Sequence, residues 1–236
     1  MKLIIIPDEV LSTCFYVKIV KASLMGSLTR AMRASDQKTH YCQFVADHKN
    51  QKRQKMARVS DIEIHEVNDE VRPIYQRFAD EYGPFLNQVK IFAHRPAALK
   101  HIMGMLMEMA DNPILNKRHL EIAIVAVSAV NRCDYCIAHH APRLIELGLS
   151  AEIISRILDT DCPELDDIDR LVRDYAVQVT KDHNRVTDDL FNRLKEHFDE
   201  TQIVELTLRI TLCTFFNKFN DVMQLEMEDG VLALSN

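Results

Sequence analysis

Apolar side chains recur along this chain at the three-to-four-residue interval of helices, and from residue 68 onward the pattern is nearly continuous. Val71, Ile74, Tyr75 and Phe78 form one stripe, and Asn68, followed by Asp69 and Glu70, is placed to cap a helix running to Tyr82. Gly83-Pro84 breaks it. Residues 85–94 read as a short apolar helix, and Pro96 as the first residue of another that reaches Ala110 and is closed by Asn112-Pro113. Met103, Met105, Met107 and Met109 on this helix are read as adaptable core filler ahead of a substrate entrance. A helix from near Lys117 to Val130 is apolar at almost every position, so it should be buried on most sides. Asn131 is placed to end that helix and cap the next, which closes at Gly148. Ser150 caps a helix to Leu158, an acidic loop spans 159–167, and helices are expected over 168–181, 187–198 and from Thr201 to about Glu228. The pattern predicts an all-α domain over residues 56–236, extended only at 59–64.

Residues 1–55 differ in kind. Residues 1–6 read as a short strand and 14–32 as a weak amphipathic helix, while 35–55 are polar and end on Lys49, Lys52, Arg53 and Lys55. Ten Lys or Arg against four Asp or Glu give this part a net charge of +6, which leaves −12 for the rest of a chain whose total is −6. A domain that acidic has no electrostatic case for nucleic acid. Three readings compete for the extension: an organellar or membrane-surface segment, a partner-binding tail, or an upstream start codon with Met56 as the true initiator. The last is favoured, and Asp8 and Glu9 argue against a transit peptide. No apolar run approaches the roughly 18 residues of a membrane span. Six cysteines, scattered apart from one pair, fit a reducing compartment, read as the cytoplasm. Cys14 and Cys42 read as ordinary thiols, and Cys213 as core.

The candidate chemistry is concentrated between Glu121 and His140, EIAIVAVSAVNRCDYCIAHH. Glu121 is an acid in a buried run. Cys133 and Cys136 fall near the start of the second helix, where free N–H groups and the helix dipole favour a thiolate. His140 lies one turn beyond Cys136 on the same face, within proton-transfer reach directly or through a water. If the two helices fold back antiparallel, Glu121 meets His140, and a carboxylate backs an imidazole that backs a thiol. The pair admits three readings: two buried thiols, a redox-active pair, or zinc ligands with His140 and Glu121. The glutamate and histidine favour redox chemistry, and the lack of a second C-x-x-C disfavours zinc, so no metal or other cofactor is expected. Tyr135 and His139 are read as supporting residues. His94, His101, His119, His183 and His197 have no convergent partners and are read as solvated surface.

Glu121, eleven residues, Cys133, two residues, Cys136, three residues and His140 resemble the active-site motif of the alkyl hydroperoxidase D (AhpD)-like members of the carboxymuconolactone decarboxylase superfamily. The resemblance implies an all-helical fold, assembly as a homo-trimer or hexamer, and a thiol peroxidase. Cys136 would attack a hydroperoxide, Cys133 would resolve it to a disulfide, and Glu121 and His140 would relay protons. A dithiol, thioredoxin-like or lipoyl reductant would restore the pair. The chain departs from the best-described peroxidase of the group at Tyr135, where that protein has a histidine. The decarboxylases that name the superfamily lack the cysteine pair; the alternative is a lyase in which His140 and Glu121 do acid–base work on a carboxylated ring.

One internal echo accompanies the motif. Setting Glu205 on Glu121 places Asn217 on Cys133, Asn220 on Cys136 and Gln224 on His140, which predicts a helix-hairpin duplication whose second copy has lost its chemistry.

Overall fold

A computed structural model of the chain describes residues 57–81 and 85–231, within the unit Met56–Asn236. The readings placed on residues 1–55, including Cys14 and Cys42, and the break at Gly83-Pro84 lie outside the described residues. Among the described residues there is no strand, and the fold is all-α. Asn68 Oδ1 accepts the Val71 N–H at 3.2 Å, and α1 (Arg72–Glu81) follows, burying Tyr75 and Phe78. After α2 (Leu86–Phe92), Pro96 opens α3 (Pro96–Ala98). The single α-helix expected there is interrupted by a π turn, Leu99–Met103, before α4 (Gly104–Asp111). Leu99, Met103 and Met107 are all buried. A spacing of four drifts around an ideal α-helix, and the wider π turn takes up that drift and keeps the three side chains facing one core.

The second half is built on α5 (Lys117–Asn131), which packs against α6 (Asp134–Glu146), α8 (Asp167–Asp182) and α10 (Glu200–Met223); α7 (Ala151–Ser155) and α9 (Asp188–Lys195) fill the periphery. Five of these six helices start on a local side-chain cap, and α6 does not. Asn116, Ser150 and Thr187 cap α5, α7 and α9 through their side chains, and capping boxes at Asp166/Asp169 and Asp199/Gln202 start α8 and α10. One core joins Ile122 and Val125 of α5 to Leu144, Val172, Leu206 and Ile210. Each such burial is worth roughly 1.5–3 kcal/mol. A second core gathers Tyr75, Phe78, Val89, Phe92, Leu99 and Met103 around Cys133, Tyr135 and Cys136, with Phe216 of α10 at its edge. The first turn of α6 therefore stands in one core while its later turns stand in the other.

Three local expectations are corrected. Asn131 is the last residue of α5 and does not cap α6. The turn comes one residue later, at Arg132 in the left-handed region (φ 57°), where Arg132 N–H donates to Ala129 O and Cys133 N–H to Ser128 O. Asn131 instead donates from Nδ2 to Asn217 Oδ1 of α10 at 2.9 Å. The last helix ends at Met223, not near Glu228. Gln224 (φ 56°) turns the chain, and Leu225 N–H donates back to Asn220 O, which frees 225–231 to fold over the body. His119 is not solvated surface: it is partly buried, edge-on to Phe198, with Nε2 3.6 Å from the fully buried Asp169 carboxylate.

The echo occupies α10, a single unbroken helix. Where the motif turns at Arg132, α10 carries Phe215 and Phe216 and no left-handed residue, so the helix continues. The 84-residue offset nonetheless reappears as contact. Ser128 meets Cys213, Asn131 meets Thr214 and Cys136 meets Asn220, pairs separated by 85, 83 and 84 residues. Of these pairs, Cys136 and Asn220 stand one full offset apart, and they touch where α10 crosses the motif. No helix among the described residues is long and apolar enough to cross a membrane.

Candidate active site

The hairpin of α5 and α6 carries the motif. Arg118 clamps it shut at its far end, donating to Asp169 Oδ2 (2.8 Å), Leu147 O (3.1 Å) and Glu164 O (2.8 Å). With that closure, Glu121 Oε2 lies 2.7 Å from His140 Nδ1, and Arg143, one turn after His140, donates to Glu121 Oε1 at 3.1 Å. Glu121 is 3 % exposed. Burial opposes its charge, but His140 and Arg143 more than offset that and hold its carboxyl at about 2. Burial also pushes the His140 imidazole down, against the lift from Glu121. Near neutrality the pair is therefore a carboxylate, held by its bonds from His140 and Arg143, accepting the Nδ1–H of a neutral ring. Nε2 is then the nitrogen with a free lone pair.

Cys133 is the N-cap of α6 and Cys136 sits in its first turn. Both are free thiols, 0 % and 4 % exposed. The Cys133 thiol is pushed far up by the hydrogen bond it shares with Cys136 and by its burial. That thiol keeps its proton. Cys136 Sγ also receives a bond from Asn220 Nδ2 at 3.3 Å, and Asn220 Oδ1 accepts from Gln88 Nε2 at 2.9 Å. The structure thus brings Glu121 to His140 and Cys133 to Cys136. Among the described residues no hydrogen bond joins the two halves, although Cys136 and His140 are one turn apart on α6.

Tyr135 and His139 form a second polar cluster with Glu228, delivered by the C-terminal loop. Glu228 Oε1 accepts from the Tyr135 hydroxyl (2.7 Å) and the Asn87 N–H (2.9 Å), while Oε2 lies 2.7 Å from His139 Nε2. His139 Nδ1 lies 2.5 Å from Tyr135 O, a group that can only accept, so Nδ1 carries a hydrogen. Burial first, and then the Glu228 charge, push the Tyr135 phenol far up, so it stays a donor. Phe85 stacks on His139 (centroids 4.6 Å apart) and lies 5.4 Å from His140, with the Arg143 guanidinium 5.5 Å from its ring. Each of the consecutive histidines therefore has its own glutamate, one from α5 and one from the chain end.

Four residues of this site escaped the sequence reading. Arg143 carried a signal, lying three residues past His140 on the same helix face. Asn220 carried a partial one, since the echo aligned it with Cys136. Gln88 and Glu228 carried none. Among the described residues no group of three or more His, Cys, Asp or Glu side chains is arranged to hold a metal ion.

Parts of this chain are similar to known proteins. Residues 96–164 match the model of the carboxymuconolactone decarboxylase family. The alkyl hydroperoxide reductase AhpD of Mycolicibacterium paratuberculosis is 40 % identical over 55 residues, a stretch covering 23 % of this chain and 31 % of that protein. The AhpD core structure of an uncharacterized peroxidase-related protein from Ralstonia eutropha JMP134 superposes with a TM-score of 0.64 at 21 % identity, covering 75 % of this chain and 97 % of that one. The debrominase Bmp8 superposes at 0.61 with 14 % identity, over 73 % and 93 %. These two structures share the all-helical fold with this chain. Residues 96–164 thus resemble the carboxymuconolactone decarboxylase family, and the chain spans about a third of the length of the AhpD protein that it matches.

Proposed function

We propose that this protein is a thiol-dependent peroxidase in which Cys136 is the attacking thiol and Cys133 the resolving one. The observation that carries the reading is the pair of reduced cysteines at the start of α6, one sulfur accepting from Asn220 Nδ2 and the other held protonated beside it. In the first step the Cys136 proton passes to His140 Nε2, through a water, while Glu121 holds Nδ1–H. The thiolate attacks the terminal oxygen of a hydroperoxide; an S–O bond forms, the O–O bond breaks, and the departing alkoxide takes the proton from His140 and leaves as an alcohol. Cys133 sulfur then attacks the sulfenic acid of Cys136, releasing water as the disulfide forms. A dithiol, thioredoxin-like or lipoyl donor returns two electrons and two protons. A reducing compartment such as the cytoplasm suits that cycle. Assembly as a trimer or hexamer belongs to the same reading and is supported by Val204, Leu208, Phe215 and Val222, an exposed apolar series along α10.

The test is a mass-based count of free thiols before and after a stoichiometric dose of an organic hydroperoxide, with peptide mapping. Loss of two thiols as a Cys133–Cys136 disulfide is expected. Two thiols still free and alkylatable would overturn the peroxidase reading and move the assay to ring carboxylates, the substrates of a lyase using Glu121 and His140.

A further inference from the structure

We propose that Asn220 is a catalytic residue of this site: its side-chain amide, oriented by Gln88, donates to Cys136 Sγ and stabilises the thiolate. The proposal rests on Cys136 being the nucleophile. Three side chains make the device, Gln88 (5 % exposed), Asn220 (1 %) and Cys136 (4 %), and they belong to α2, α10 and α6. Water competes little for any of these bonds, and a neutral donor in such a place favours the charged form of its acceptor.

The orientation of the amide is the decisive point. Its oxygen is taken by Gln88 Nε2 at 2.9 Å, which leaves the NH2 facing sulfur at 3.3 Å. A thiolate has no hydrogen and can only accept, so it matches this arrangement. With the two amides reversed, Asn220 Oδ1 would face sulfur and match the thiol instead. Gln88 therefore acts as a positioning residue: it sets which end of Asn220 the sulfur meets. The sequence offset coincides with this placement. Asn220 is the position that aligns with Cys136 84 residues earlier, and the two counterparts touch where α10 crosses the motif. The echo segment thus contributes a donor to the segment that carries the cysteine pair.

Two variants test this without deleting volume. Asn220→Asp replaces the donor by an acceptor of the same shape. Gln88→Glu never touches sulfur, but it presents an acceptor to Asn220 and should turn the Asn220 NH2 away from Cys136. The reduced full-length protein would be alkylated with iodoacetamide across a range of pH, the modified cysteine assigned by fragment-ion mass, and folding checked by circular dichroism. The pH midpoint of Cys136 alkylation should rise by about one unit in each variant, a roughly tenfold slower reaction at pH values below the midpoint. If Asn220→Asp fails to fold, Gln88→Glu decides. Folded variants whose midpoints match the wild type overturn the proposal, even where peroxide still oxidises both thiols. Shifted midpoints in a protein whose thiols resist hydroperoxide would support the Asn220 bond while removing the peroxidase reading.

Discussion

Glu121 is the buried charge on which the motif hairpin closes, and Glu121→Gln tests that directly. The substitution keeps the shape and an acceptor for His140 Nδ1–H, so what it removes is the negative charge facing His140 and Arg143 at 2.7 and 3.1 Å. The carboxyl lies at about 2 in the fold against an ordinary 4.5. At about 1.4 kcal/mol per unit, that difference is on the order of 3 kcal/mol of stability, within the roughly 3–5 kcal/mol seen on breaking buried ion pairs. Because the folded value is the lower one, this stabilisation is complete above about pH 4.5 and disappears as the pH falls toward 2, with about 2 kcal/mol of it gone by pH 3. Urea unfolding of both proteins at pH 5 and pH 3, at one protein concentration, measures it. The variant should be less stable by about 3 kcal/mol at pH 5 and by only about 1 kcal/mol at pH 3. A gap that is absent at pH 5, or the same at both pH values, would refute the account of Glu121 as a charge held by His140 and Arg143.

Two further outcomes follow from the same geometry. Cys136→Ser should abolish hydroperoxide turnover, whereas Cys133→Ser should leave one oxidisable thiol that gains two oxygens by mass under excess peroxide, since nothing intercepts the sulfenic acid; equal, full activity in both would contradict the assigned roles. Glu228→Gln places an amide where Tyr135, His139 and the Asn87 N–H now find a carboxylate, and its NH2 opposes whichever donor it faces. A loss of about 2 kcal/mol is expected, read as a fall in Tm of roughly 5 °C by circular dichroism, and an unchanged Tm would mean that the C-terminal loop does not hold this cluster.

Much of the fold was legible because its causes are local. Asn68, Pro96, Ser150 and Thr187 start helices through groups that lie within a few residues of them, and the apolar interval reports the buried face before any partner is known. Local rules also bracketed the hairpin turn, but they misplaced it by one residue. An asparagine is the better cap by preference, yet Arg132 takes the left-handed position and Asn131 is drawn to Asn217 across the core. The same kind of override ended α10 at Gln224, where the pattern ran on to Glu228. The π turn at Leu99–Met103 reflects a demand that comes from the core, for three side chains four residues apart to face one way.

The helical class, the order of the helices, and a glutamate, two cysteines and a histidine at a spacing that one antiparallel hairpin can bring together are all written in the order of residues. Those are properties of short segments and of helical rise. What surrounds the two sulfurs and the second histidine comes from packing. Gln88, Asn220 and Glu228 lie 48, 84 and 92 residues from Cys136, 136 − 88, 220 − 136 and 228 − 136, on three different segments. No rule of periodicity or capping relates residues so far apart. Their meeting depends on how α2 and α10 pack over the first turn of α6, and on a chain end that turns back at Gln224. Buried polar groups must find partners wherever packing leaves them, and here that requirement joins an amide to a thiol and a second carboxylate to a second histidine.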